Sequence, residues 1–416
     1  MADQKYVTLI LGAGSSFPYG FPLGPDLIKL IINEATSVRD NAKQNVTEYN
    51  KLNAKISQRY GSGVEYTKFL ELLDQIAGQL SLYKPQSIDS FLNNLYAQND
   101  RDSAIFVDVT RYLLSCVITK RYSPSSYFKD EQRSEGKPPS KWLHQLLNAI
   151  FYWAHKKNYE LEELPIKIVT FNYDTLLEQY FCELVKGSYF LPDEHKQKII
   201  ELFLKSVTHV YGQLGYFKWK GIVLNAPKDY QSEEVLDLDV LSGRIPSPDS
   251  TSVYITNHQR SLALNSFHRI SLVPNLTSSG DDQETFRHKK ESTDIAINWI
   301  ENAKTLIVSG YAFDNTNNDI IKLRESAANV PNIYVTLYEA GYALKSKVDL
   351  LFRQCSKKVA EPFHPGRPVS IDGQYVHDSP GNINPELVAR IFNSTTHTLL
   401  SKEVDLVQSV FELSKS

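Results

Sequence analysis

The residues that most constrain the fold stand at the start of the chain. Lys5 to Leu11 reads Lys-Tyr-Val-Thr-Leu-Ile-Leu, and Gly12-Ala13-Gly14-Ser15-Ser16 follows without a break. A short apolar and β-branched run without alternation is a strand covered on both faces, as a parallel sheet requires. Glycines directly after it let the backbone turn sharply and approach another group closely. Pro25 to Ala35 then places Leu27, Leu30, Ile31 and Ala35 on one helical face, with Pro25 in the first turn. Strand, glycine loop and helix together predict an α/β fold with a ligand-receiving turn at Gly12 to Ser16.

From about Ser37 to Leu147 the apolar spacing is helical, with one stripe at Tyr66, Phe69, Leu70, Leu73, Ile76 and Ala77 and another at Ile88, Phe91, Leu92 and Leu95. Tyr122 to Ser140 is rich in Ser, Pro and Lys and reads as a long loop. Strand patterns resume at Ile166–Phe171, Ser206–Tyr211, Gly221–Asn225, Ser252–Ile255, Ile270–Val273, Thr305–Val308 and Asn332–Leu337, with a helix over Lys289–Ala303. Helices are also expected over Pro385–Phe392 and Leu399–Leu413, beyond a Pro/Gly-rich stretch from Pro362 to Pro380. The alternation predicts a Rossmann-like, doubly wound, mainly parallel sheet built from residues 1–36 and 148–350. Residues 37–147 form a helical insertion in this reading, and 351–416 a C-terminal extension suited to assembly or partner contacts.

Composition narrows the function classes. With 42% apolar and 22% charged residues the chain has the make-up of a folded globular protein. A formal net charge of −3 leaves no basic footprint for nucleic acid or an anionic membrane. Arg287-His288-Lys289-Lys290 reads as a solvated helix start. There is no apolar run of the ~18 residues a membrane helix needs. The first residues show no charged-then-apolar leader, so no secretory signal is expected. Cys116, Cys182 and Cys355, the three cysteines, lie far apart with no Cys-x-x-Cys, which excludes a disulfide framework or cysteine-built zinc ribbon and suits a cytoplasmic protein.

Four segments carry chemistry-bearing residues, each with a structural explanation beside the functional one. The Gly12–Ser16 loop has the glycines of a phosphate-binding turn, but Phe17 stands where a dinucleotide fingerprint has its third glycine. Asn172 and Asp174, in Thr170-Phe171-Asn172-Tyr173-Asp174, are ligand groups at a strand's carboxyl end or caps of the next helix, which begins near Thr175. His209 and Tyr211 share a face if the strand Ser206–Tyr211 is regular, and His209 is either a titrating group or a satisfied structural histidine. Ser309 to Asp319, with Gly310, Tyr311 and Phe313, is a ligand loop or an Asx-rich turn. Asp89 reaches the site from the insertion, or Ser87 simply caps its helix.

In this order the segments resemble the sirtuin-like NAD-binding domain. Sirtuins open on Gly-Ala-Gly-x-Ser and a Gly-Ile-Pro loop, matched by Gly12 to Ser16 and by Gly20-Phe21-Pro22. Their Thr-x-Asn-x-Asp is matched by Thr170, Asn172 and Asp174, their late Gly-Thr/Tyr-Ser loop by Ser309 to Phe313, and their last adenosine-contacting strand by the one ending at Tyr338-Glu339. The likeness covers residues 1–33 and about 160–345. Three departures stand out. The four zinc cysteines of sirtuin deacylases are missing, Leu23-Gly24-Pro25 replaces their Asp-Phe-Arg, and Tyr211-Gly212 stands where they have His-Gly. With those cysteines missing and a long helical insertion in place, the chain looks more like bacterial sirtuin-like effectors of antiphage defence.

That resemblance implies an NAD+ hydrolase releasing ADP-ribose and nicotinamide, with NAD+ as substrate and no metal. It implies cofactor contacts at Gly12, Ala13, Gly14, Ser15, Ser16, Phe21, Pro22, Thr170, Gly310, Tyr311, Phe313 and Glu339. Asn172 would orient water and ribose, His209 or Tyr211 would act as base, and Asp174 would fix the loop or a ribose hydroxyl. It also implies a homo-oligomer working with a partner from the same defence operon, such as a HerA-type ATPase. Two other functions stay open: an NAD-dependent protein deacylase or ADP-ribosyltransferase, and a non-catalytic module that binds NAD or ADP-ribose.

Overall fold

The computed structural model describes residues 6–41, 46–85, 87–96, 100–122, 162–219, 222–224, 232–237, 251–270 and 283–336, with single residues and short pieces among 143–154, 230, 347–352, 370–375 and 389–392. The first strand, β1 (Tyr6–Leu11), is buried along nearly its whole length, as its unalternating composition requires. It pairs in parallel with β2 (Ile166–Thr170) on one side, and β2 pairs in parallel with β3 (Val207–His209). Three further strands lie outside this sheet. β4 (Tyr216–Trp219), β5 (Ile222–Leu224) and β6 (Val235–Asp237) make a separate small sheet in the order β5-β4-β6.

On its other side β1 pairs in parallel with β7 (Ala303–Ser309), and β8 (Asn332–Thr336) continues the sheet. β9 (Ser370–Ile371) and β10 (Gln374–Tyr375) form a short antiparallel pair, and β11 (Ala389–Phe392) adds a parallel edge beside β8. The central sheet therefore runs β11-β8-β7-β1-β2-β3. Strand order reverses between β1 and β7, and ligands of open parallel sheets bind outside the carboxyl ends at such a point. Register carries four chain segments to that edge. Leu11 lies opposite Thr170 and Ser309, and Thr170 lies opposite His209.

The helices are α1 (Ala13–Ser16), α2 (Gly24–Asp40), α3 (Val46–Tyr60), α4 (Tyr66–Tyr83), α5 (Ile88–Tyr96), α6 (Arg101–Thr119), α7 (Leu176–Lys186) and α8 (Asp193–Leu204). After the small sheet come α9 (Thr251–Ser266), α10 (Gln283–Glu301), α11 (Asn315–Ile320) and α12 (Leu323–Ser326). α10 lies against β1, β3 and β7. The Thr8 hydroxyl on β1 donates to the Trp299 carbonyl of α10 at 2.7 Å, which fixes helix against sheet.

α6 is the axis of the helical part: every residue from Ile105 to Thr119 is buried, against α2, α3, α4, α5 and α9. Most of its polar side chains are bonded, with Arg111 Nε left buried without a partner. Thr110, Ser115 and Thr119 donate to carbonyls one turn back, and Asp108 pairs with Arg111 at 3.0 Å and Arg59 at 3.1 Å. α2 crosses the boundary expected at residue 36, and a single apolar cluster joins insertion and sheet.

Two expected elements are different. Ser252–Ile255 is not a strand but the start of α9, because Gln259, Leu262, Ala263 and Ser266 recur at helical spacing and are buried. Pro385–Phe392 does not form a helix throughout, since Ala389–Phe392 is strand β11; the open edge of β8 supplies backbone pairing that local propensity does not reveal. α8, β4 and β6 carry no sequence expectation. The loop at 123–140, the strand residues 271–273 and the helix Leu399–Leu413 lie outside the described residues. Among the described residues no helix is long and apolar enough to cross a membrane.

Candidate functional site at the carboxyl edge of the sheet

The two loops flanking the strand-order reversal are pressed together. A Cβ on Gly12 would stand 2.5 Å from the Gly310 carbonyl oxygen, and one on Gly14 would stand 2.9 Å from the Gly310 Cα. The amides of this loop are turned to the same contact: Gly12 donates to Ser309 O at 3.1 Å, Gly14 to Gly310 O at 3.0 Å, and Ser15 to Gly12 O at 2.9 Å. Three amides of the Gly12–Ser16 loop are thus engaged within the protein. Here the glycines serve close packing of loop on loop. Ala13 is exposed, whereas Ser15 and Ser16 are buried and turn towards β2.

Those two serines meet Asn172. Its Nδ2 donates to Ser16 Oγ at 2.9 Å and to Ser15 Oγ at 3.3 Å, while Ser15 Oγ donates to Gly12 O at 2.7 Å. Ser16 Oγ donates in turn to Asp174 Oδ1 at 3.3 Å. Asp174 Oδ1 also accepts from the Leu176 amide at 3.1 Å, at the start of the following helix. The Asn172 backbone N–H donates to the Thr170 hydroxyl oxygen at 3.1 Å, which holds the loop back against its own strand.

His209, across the register from Thr170, closes the cluster. Its Nδ1 lies 3.0 Å from the Asn172 carbonyl oxygen and its Nε2 lies 2.6 Å from Glu178 Oε1. Burial disfavours the imidazolium, but the charge and hydrogen bond of Glu178, the Asn172 carbonyl and the Asp174 charge outweigh it and hold His209 above the usual histidine range. Burial pushes the Asp174 carboxyl up to about 6, against the opposing pull of the Leu176 amide and the Ser16 hydroxyl.

A small recess joins these groups, lined by Ser15, Ser16, Asn172, Asp174, Glu178 and His209, with room for about one water molecule. Two acceptor atoms among its lining residues, Asn172 Oδ1 and Glu178 Oε2, are buried without a protein partner. Buried acceptors of this kind are rare, and they favour a hydroxyl or water donor.

Tyr211 belongs elsewhere. The pleat ends at His209, the chain turns, and Gly212 takes a φ of +77° against the Arg269 carbonyl. His209 and Tyr211 therefore do not share a face, which corrects the expectation built on a regular strand. The Tyr211 ring packs on Phe171 and Tyr173, its hydroxyl donates to Asn317, and burial raises its phenol far above the usual range. Tyr311 and Phe313 extend this aromatic group, with ring centroids 5.0 Å apart and Tyr311 also 5.0 Å from Phe171.

Asp89 does reach this region: it accepts from the Tyr173 hydroxyl, and Ser87 caps the same helix by accepting from the Ser90 amide at 3.1 Å. Burial pushes the Asp89 carboxyl from 3.8 up to about 6, with the Asp314 charge adding to the rise and the Tyr173 bond opposing it. A carboxyl raised on folding contributes stability that is complete below its unfolded value and lost as the pH climbs through its folded value. Asp89→Asn is thus expected to flatten the fall in the thermal midpoint between about pH 4 and about pH 6. A midpoint curve parallel to that of the parent protein would refute it.

Of the remaining expected contacts, Phe21 is a core residue packed 6.2 Å from the Tyr122 ring, Pro22 is half-buried, and Glu339 lies outside the described residues. Cys116 and Cys182 are buried on α6 and α7, and Cys355 lies outside the described residues. Burial raises both thiols, that of Cys116 to about 12. Glu178 is the residue that sequence reasoning missed. Its only signal is an acid in the first turn of the helix after Asp174, which reads equally as a favourable helix-end charge. Compared with known proteins, the sequence matches no protein-family profile and no curated protein.

Proposed function

We propose that the chain is an NAD+ glycohydrolase on a Rossmann-like, doubly wound, sirtuin-like domain, with the recess at Asn172 as its reaction centre. The observation that carries this reading is Asn172 itself. Ser15 and Ser16 hold its amide nitrogen, and its Oδ1 is buried without a partner beside a space the size of one water. The matching order of motifs supplies the substrate class, and the place of the recess beside the strand-order reversal supports it.

The chemistry asks little of an acid. Nicotinamide leaves a cationic pyridinium as a neutral molecule, so it needs no proton. The protein must instead orient a water and stabilise the positive charge that develops on the ribose. Asn172 Oδ1 orients the water or a ribose hydroxyl in this reading. Asp174 and Ser16 fix the loop. In this reading NAD+ is recognised chiefly at its ribose end and by side chains, which the engaged amides of Gly12, Gly14 and Ser15 support.

From the resemblance we take the setting as well: a cytoplasmic, homo-oligomeric effector of antiphage defence that acts with an operon partner such as a HerA-type ATPase. Incubating the purified chain with NAD+, alone and with its operon neighbours, tests the reading. The expected result is equal release of nicotinamide and ADP-ribose. ADP-ribose attached to protein would identify a transferase, turnover only with acyl-lysine a deacylase, and binding without cleavage a non-catalytic module.

A further inference from the structure

Resting on that reading, we infer that Glu178, not His209, takes the proton from the attacking water, and that His209 acts as the fixed cation beside it. The geometry of His209 leaves it no lone pair to offer. Nδ1 faces the Asn172 carbonyl at 3.0 Å, an atom that only accepts, so Nδ1 carries a hydrogen. Nε2 faces the Glu178 carboxylate at 2.6 Å, so a proton lies between them too. Both nitrogens are engaged by acceptors, which is the environment of an imidazolium.

Glu178 is the opposite case. It is 2% exposed, Oε1 is bonded to His209, and Oε2 is buried with no partner. It lines the same recess as Asn172, whose unpartnered Oδ1 accepts the water's other hydrogen in this arrangement. The imidazolium offsets the cost of keeping a carboxylate ionised inside the protein. Among the described residues, Asp174, from the loop after β2, and Cys182, one turn further along α7, are titratable groups beside the pair.

The step balances. The water oxygen forms a bond to the ribose C1′, and the bond from C1′ to the pyridinium nitrogen breaks. Its electron pair stays on nicotinamide, which becomes neutral. The water proton passes to Glu178 Oε2 and later to solvent.

The test compares nicotinamide release against pH for the full chain, Glu178→Gln and His209→Asn, each checked for folding by circular dichroism. Glu178→Gln is expected to lose about 10²–10⁴-fold in kcat and to lose the acid limb of the profile. His209→Asn retains the base, so a smaller loss is expected, with the acid limb kept. The opposite pattern, with the acid limb kept in Glu178→Gln and absent in His209→Asn, overturns the proposal. Nitrogen NMR of labelled His209 needs neither variant nor substrate. Both ring nitrogens protonated near neutral pH supports the proposal, and a singly protonated ring overturns it. A parent protein that releases no nicotinamide defeats the NAD+ reading and with it this proton transfer, while the His209 spectrum still shows separately whether the ion pair was assigned correctly.

Discussion

Asn172→Ala is expected to lower nicotinamide release by about 10²–10⁴-fold, equivalent to about 3–5 kcal/mol of barrier, with the fold retained. The substitution removes the acceptor to which the proposed reaction assigns the water, and it removes no apolar core side chain. Its effect on stability is expected to be small for two opposing reasons. Two hydrogen bonds to Ser15 and Ser16 are lost, at about 1 kcal/mol each, but a buried oxygen that had no protein partner is lost with them. Turnover and urea unfolding measured on one preparation separate the two effects. Undiminished release from a folded variant would move the reaction centre away from Asn172.

The second large effect is expected at Gly310, and it concerns stability. Gly310 has a φ of +62°, and a Cβ there would stand 2.2 Å from the Ser15 amide nitrogen and 2.7 Å from the Gly14 carbonyl carbon. Both obstacles are backbone, so no side chain can swing aside. Left-handed strain and forced separation of the two loops together give an expected loss of about 2–5 kcal/mol for Gly310→Ala. Gly20 supplies the control: its φ is +86°, but nothing lies within 4 Å of its missing Cβ. Gly20→Ala is therefore expected to lose only the conformational part, about 1–2 kcal/mol. Denaturant midpoints with equal m-values decide between the two, and equal losses at both positions would show that loop contact contributes little.

These residues also show what a linear reading can and cannot reach. β1 is legible because burial on both faces leaves a composition without alternation. Asp174 is held by local bonds, a single oxygen accepting from both the Leu176 amide and the Ser16 hydroxyl. Glu178 was not legible, because its meaning depends on the β2–β3 register that sets His209 opposite Thr170. No local pattern carries that pairing. Tyr211 was misplaced for a related reason, since the alternation rule holds only while the strand lasts and β3 stops at His209. Ala389–Phe392 and Ser252–Ile255 fail through tertiary context: one completes a sheet edge, and the other starts a helix packed on α6.

The central claim is that the recess at the carboxyl edge of the sheet splits NAD+ at the bond between nicotinamide and ribose. The most direct measurement follows nicotinamide and ADP-ribose together, from NAD+ alone, with the parent protein, Asn172→Ala and the operon neighbours side by side. The account predicts the two products in equal amounts from the parent protein and about 10²–10⁴-fold slower release of both from Asn172→Ala. NAD+ left intact by the parent protein, alone and with those neighbours, would contradict it.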